Sequence, residues 1–249
     1  MEKVKFNPCR IYNVDGTGIT SVQSKHTKVI TLKGKKQVGT FTSAERGSLV
    51  TVVTCMNLAG GFVSPMAIFP RKNMKAELLN GAPAGTIATC HVSGWIQSHI
   101  FTNWLQHFIS HVKPSEADPV VLILDDHYSH RRNIDSINLA RQNQVVVLSL
   151  PSHYTHKMQP LDLAFMGPLK IYYSQEIENW LRNTPGREVT CYQVCELLGR
   201  AYVRCVRAEI AINGFRNSGI CAINKHIFRE HDFAIHHQME GFSSKSTRG

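Results

Sequence analysis

Val120-Val-Leu-Ile-Leu-Asp125 is the stretch whose reading decides the fold. Its continuous apolar run predicts a strand buried on both faces, the kind found inside a sheet covered by helices. A carboxylate closes the run and is held rigidly at the sheet edge. The same pattern appears upstream, where Arg10-Ile-Tyr-Asn-Val ends on Asp15. It appears again downstream, where the apolar run Val145-Val-Val-Leu-Ser-Leu150 is soon followed by Thr155-His-Lys-Met-Gln-Pro-Leu-Asp162. A lone aspartate at a strand end is ordinarily a turn former or a cap; three in these contexts are a stronger signal. Brought together, they would repel by about 4 kcal/mol per pair at ~4 Å and an effective dielectric near 20. Such a cluster makes sense if divalent cations neutralise it.

Working outward, Arg10 to Val14 reads as the first strand, with Asp15-Gly-Thr-Gly18 as the turn after it. Ser48 to Asn57 and the run ending in Ala67-Ile-Phe-Pro70 read as two more strands, joined by the hairpin Leu58-Ala-Gly-Gly61. Trp95 to Val112 reads as a helix, because Ile96, Ile100, Trp104, Leu105, Phe108 and Val112 recur at three- and four-residue steps. Trp104 is assigned to the core in preference to a base-stacking role. Ile134 to Gln142 is a short helix and Val145 to Leu150 a second buried strand. Pro168 to Leu181 is helical, and Thr190 to Ile212 is one long helix opened by a Thr190/Gln193 capping box. Three strands followed by alternating strand and helix predict an α/β fold, an RNase H-like mixed sheet flanked by helices with a C-terminal helical extension. In that fold the first and fourth strands lie side by side, which would bring Asp15 next to Asp125. The expected organisation is one domain over 1–240, with a core at about 10–182 and a helical extension at about 188–235. The polar tail 241–249 is expected to be disordered.

Composition bounds the partner. Lys and Arg number 28 against 18 acidic residues, for a formal net charge of +10. Hydrophobic residues make up 43% of the chain, which marks a globular protein. A basic balance favours a polyanion, and with a carboxylate cluster it points to phosphodiester chemistry on nucleic acid. Lys25, Lys28, Lys33, Lys35 and Lys36, with Arg71 and Lys72 after the third strand, are candidate DNA-backbone contacts. A solvated loop or hairpin is the other reading of the 25–36 stretch. The seven cysteines contain no Cys-x-x-Cys pair and no set of zinc ligands, so reduced, mostly buried thiols are expected. No run of 18 apolar residues predicts a membrane span.

The ordered motifs resemble a known family. Asn13-Val-Asp15-Gly16-Thr17-Gly18, Leu124-Asp125-Asp126-His127-Tyr128-Ser129-His130, and Pro151, Thr155, His156, Gln159, Pro160, Leu161 and Asp162 are similar to the three motifs of the DDE-type transposase catalytic domain of the mariner–pogo superfamily. That branch contains pogo, Tigger, jerky and centromere-protein-B-like proteins. Pro65-Met-Ala-Ile-Phe-Pro-Arg-Lys-Asn73, Gly167-Pro-Leu-Lys170 and Gly214-Phe-Arg-Asn-Ser-Gly-Ile220 extend the resemblance. It implies Asp15, Asp125 and Asp162 as a catalytic, metal-binding triad holding Mg²⁺ or Mn²⁺, with two ions expected. It implies cleavage at transposon ends and transfer by the freed 3′-hydroxyl, with DNA as partner, a homodimer in the synaptic complex, and no nucleotide cofactor. The expected location is the nucleus.

Two positions depart from the family's pattern: Gly16 stands where Glu is usual and Asp126 where Asn or Gly is common. Asp126 is expected to face solvent. His127, His130 and His156 are candidates for supporting the acids or contacting phosphate, with loop packing as the plainer role. Family members carry helix-turn-helix modules ahead of the catalytic domain, and none is expected before Asp15. The readings this leaves are a catalytic core, truncated or domesticated, and a catalytically inactive DNA-binding or interaction module descended from one.

Overall fold

The computed structural model describes residues 7–22, 47–126, 133–151, 155–221, 223–224 and 226–228 of the 249-residue chain. Among them are six strands: β1 (Ile11–Thr20), β2 (Leu49–Asn57), β3 (Phe62–Phe69), β4 (Ile87–Cys90), β5 (Val120–Leu124) and β6 (Val145–Ser149). The helices are α1 (Ser98–Val112), α2 (Ile134–Gln142), α3 (Thr155–Met158), α4 (Pro160–Ala164), α5 (Met166–Asn183), α6 (Cys191–Cys205) and α7 (Ala208–Asn217). The strands form one mixed sheet in the order β4-β3-β2-β1-β5-β6. β1 to β3 are antiparallel neighbours, while β5 lies parallel to β1 and β6 parallel to β5. This is the expected RNase H-like sheet, with the strand at 120–124 beside the first.

Helices cover both faces. On one side α1 packs Ile100, Phe101, Trp104, Leu105 and Phe108 onto Tyr12, Val14, Val53, Ile68 and Leu122. Trp104 is fully buried there, as expected for a core residue. On the other side Leu161, Leu169, Leu198 and Phe215 of α4 to α7, with Phe165 between α4 and α5, close over Ile19, Val50, Val52, Met56 and Ile123. Side chains alternate along a strand. Asn13, Asp15 and Ile19 therefore point toward the second layer, and Tyr12, Val14 and Gly16 toward the first.

Several expected elements differ from those observed. Asp15 does not close β1: the strand runs on through Gly16 and Gly18 to Thr20, paired with β2 as far as Thr20 opposite Leu49. Gly18 serves a close approach and not a turn, since a Cβ there would lie 2.7 Å from Leu49 Cδ1. A fourth strand, β4, joins the sheet edge by parallel pairing with β3. The helix expected from Trp95 begins at Ser98, and Trp95 is exposed. The run at Val145 to Leu150 forms the edge strand β6, with Val146, Val147 and Leu148 exposed and only Val145 and Leu150 buried. Apolar run length alone did not separate an edge strand from an interior one. The single helix expected over 190–212 is two, because Val206 leaves helical geometry and Arg207 is extended. The capping box at Thr190 is present as expected.

Candidate active site

Asp15 and Asp125 become neighbours through the parallel pairing of β1 and β5. Asn13 lies opposite Ile123, and two residues further along each chain come the two aspartates. Adjacent strands are about 4.8 Å apart, so side chains on the same face at this level approach one another. Asp162 sits in the first turn of α4, whose Leu161 is buried against the same face of the sheet. The helix is brought there by a bond from the sheet: the Leu161 N–H donates to Asn13 Oδ1 at 3.0 Å.

Asp15 shows the electrostatics of this arrangement. Its carboxyl is pushed up to about 7, first by burial, then by the carboxylates of Asp162 and, more weakly, Asp125. Hydrogen bonds from the Gln159 side chain and from the Gly16 N–H at 2.7 Å pull the other way without compensating. Asp162 and Asp125 thus both act on Asp15. Among the described residues, no three His, Cys, Asp or Glu side chains are close enough together to hold a single ion. Asp15 feels the other two carboxylates without the three forming a closed single-ion cage.

The surroundings hold two polar groups that the sequence reading did not single out. Thr54 lies directly opposite Asp15 on β2 and is fully buried, and its Oγ1 has no hydrogen-bond partner. Gln159 is also buried, and its Oε1 has none either. Buried polar atoms are nearly always satisfied, by protein or by something bound. Carboxylates with spare hydroxyl and amide oxygens form an all-oxygen donor set, which fits a hard cation such as Mg²⁺ or Mn²⁺ and not a thiolate metal. Gln159 lies within the third motif, whereas Thr54 lies in none and is placed beside Asp15 only by the register of β1 and β2.

The other expected site residues separate. Asp126 is half-buried, and the Ser149 hydroxyl lies 3.5 Å from its Oδ1. Its carboxylate lies at the exposed rim beside β6. Gly16 is exposed on the face opposite Asp15, and an added Cβ would meet Thr51 Cγ2 at an ordinary 3.6 Å. A glutamate there would therefore point away from the acids. Lys72 is exposed, while Arg71 is half-buried with its guanidinium 5.2 Å from the Tyr192 ring centroid. Lys75 Nζ stands 6.0 Å from the same ring. Lys25, Lys28, Lys33, Lys35, Lys36, His127 and His130 lie outside the described residues, and His156 belongs to α3 with its side chain outside them too. All seven cysteines are free. A groove of about 540 Å³ between α2 and β6 is lined by Leu124, Ile137, Ala140 and Val145 among others and contains none of the acids.

A family model described as DDE superfamily endonuclease matches residues 48–202. The chain belongs to that family. The matched region contains Asp125 and Asp162 and begins after Asp15. In fold, this DDE-family chain is similar to the Mos1 strand transfer complex, at TM-score 0.53 and 12% identity, over 88% of this chain and 56% of that one. The Mos1 mariner paired end complex with Mn gives the same score and identity, over 88% of this chain and 57% of the other. A curated relative named MFS-type transporter clz9, from Cochliobolus lunatus, is 26% identical over 221 residues. The match takes in 87% of this chain and 24% of that protein, so the DDE-family chain spans about a quarter of its length. Among the described residues, no helix is long and apolar enough to cross a membrane.

Proposed function

We propose that this chain is the metal-dependent DNA-cleaving and strand-transfer core of a pogo-like transposase, with Asp15, Asp125 and Asp162 as its acids. One observation carries the reading: burial and two neighbouring carboxylates hold the Asp15 carboxyl at about 7. A divalent cation relieves that repulsion, and the chain around it carries a formal charge of +10 and belongs to a DDE endonuclease family. The three aspartates would hold Mg²⁺ or Mn²⁺, two ions in this reading. Bound metal supplies Lewis acidity, activating water or a 3′-hydroxyl and stabilising the leaving oxygen of an in-line displacement.

The chain's own residues set up that chemistry. The Gln159 side chain and the Gly16 N–H bond the Asp15 carboxylate and fix its orientation. Arg71 and Lys72, with the lysines of the 25–36 stretch, would follow the phosphate backbone. The partners in this reading are transposon-end DNA and a target duplex, the working unit is a homodimer, and the compartment is the nucleus. Support for DNA and metal comes from the structural relative solved as a paired end complex with Mn.

A second reading, an inactive DNA-binding or interaction module, draws on the lack of any three described acids close enough to share one ion. Nicking of supercoiled plasmid by the purified chain separates the two. The first reading expects nicking with Mg²⁺ or Mn²⁺ that Asp125→Asn abolishes while the melting temperature is retained. Salt-sensitive DNA binding without nicking in either metal leaves the second.

A further inference from the structure

We infer that Asn13 is the positioning residue of the acid cluster, its single carboxamide tying together the three elements that carry Asp15, Asp125 and Asp162. The inference rests on the functional reading above and adds a residue to which no role in it has been given.

Asn13 is fully buried in β1. Burying a carboxamide is unfavourable unless its hydrogen bonds are made. Here both ends are used, and each reaches a different element. Nδ2 donates to the Ile123 carbonyl of β5 at 3.1 Å, and Oδ1 accepts the Leu161 N–H of α4 at 3.0 Å. Each acid follows closely on an atom held in this way. Asp15 is two residues beyond Asn13, Asp125 two beyond Ile123, and Asp162 one beyond Leu161.

The bond to α4 answers a specific need. A helix start leaves N–H groups without intrahelical partners, and a capping side chain usually takes one of them. Gln159, at the N-cap of α4, makes no such bond, and Pro160 follows it. The Leu161 N–H belongs to a fully buried residue. Asn13, far away in sequence, provides the acceptor that a local cap would have provided. The start of α4, and with it Asp162, is thereby referenced to β1 and not to its own loop. The second bond does the same for β5, adding a side-chain tie to the backbone pairing just before Asp125.

A buried asparagine can also be purely structural, so the test needs a matched control. Asn133 is such a control: also buried, it bridges α1 and α2, its Nδ2 donating to Ser98 O and Thr102 Oγ1 and its Oδ1 accepting the Ser136 N–H, and it lies outside the acid cluster. Asn13→Leu keeps the volume and removes both bonds; Asn133→Leu makes the same change elsewhere. The readout is the Mn²⁺ dissociation constant of the full chain by calorimetry, at temperatures well below each variant's melting point. Loss of a group that orients metal ligands weakens metal affinity by roughly 10- to 100-fold. That weakening is expected for Asn13→Leu, with Asn133→Leu staying near wild type although both melt earlier. If Asn13→Leu does not fold, Asn13→Ser carries the same expectation, because its hydroxyl is too short to reach both partners. Wild-type Mn²⁺ affinity in the folded Asn13 variant, with Asp125→Asn still abolishing uptake, overturns the inference and leaves the functional reading standing. A wild-type chain that takes up no Mn²⁺ overturns both.

Discussion

At the scale of single residues, Asp15 makes the metal-free protein pH-sensitive. Its carboxyl titrates near 7 in the folded chain, against an ordinary 3.8. The native state therefore holds this proton more tightly than the unfolded chain does. Where the native state binds more protons, stability falls as pH rises. The contribution is complete below about pH 4, declines as pH rises toward 7, and is gone above it. Thermal melts of metal-free protein are expected to show a higher melting temperature at pH 5 than at pH 8. Asp15→Asn should flatten that difference and stabilise the protein at pH 8 by about 1 kcal/mol or more, a rise of roughly 2–4 °C per kcal/mol for a chain of this size. Mn²⁺ should raise the wild-type melting temperature more at pH 8 than at pH 5. The opposite slope with pH would mean that the carboxylates do not share a field. Gly16 makes a complementary case. Because it is exposed and lies on the other face, Gly16→Glu should change stability by less than about 0.5 kcal/mol, as surface substitutions usually do. It should also leave Mn²⁺ affinity unchanged in a calorimetric titration.

At the scale of elements, the position of α4 is set from two sides. Asn13 holds its start from the sheet. From the outside α7 closes in at Gly214, where an added Cβ would lie 2.6 Å from the Pro160 carbonyl. Overpacking a tight contact of this kind costs about 1–3 kcal/mol. Gly214→Ala is expected to destabilise by that amount in chemical denaturation and to slow plasmid nicking, since the displaced element carries Asp162. A destabilised variant that nicks at the wild-type rate would separate this packing from the site. β6 predicts the reverse. Val147 is exposed on an edge strand, so Val147→Lys should shift the denaturation midpoint hardly at all, whereas burial as an interior strand would make it costly. These two elements also show what the sequence could convey. Elements whose signal is local were legible: the α1 periodicity through Trp104, the capping box at Thr190, and the β5 run ending at Asp125. Elements decided by partners were not. β1 continues through two glycines because β2 pairs with them, and β6 is exposed because nothing among the described residues flanks it on its outer side. The acids and Gln159 could be read as motif positions, but Thr54, and the place of Gln159 beside Asp15, could be found only once strand register and side-chain burial were fixed.

At the scale of the whole molecule, strand direction brings cations and acids to one edge. β1 and β5 are parallel, and β1 and β3 are each antiparallel to β2, so β1, β3 and β5 all run the same way. Asp125 follows the end of β5, and Arg71 and Lys72 follow the end of β3. A phosphate backbone laid along this edge would meet the basic side chains while it approaches the acids. That would let a polyanion come near a cluster of carboxylates that would otherwise repel it, in a molecule whose net charge of +10 already draws it in. Such binding should depend steeply on salt, because each phosphate contact releases counterions, and removal of one contact should lower the slope of log K against log salt by about one. The double variant Arg71→Ala and Lys72→Ala is therefore expected to lower that slope by about two in fluorescence anisotropy titrations on duplex DNA. Affinity should fall by a similar factor across unrelated sequences, since backbone contacts carry no sequence information. Nicking at saturating DNA should persist, because neither side chain touches the acids. An unchanged slope would mean that DNA crosses a different face, and would move the search for its path to the lysines of the 25–36 stretch.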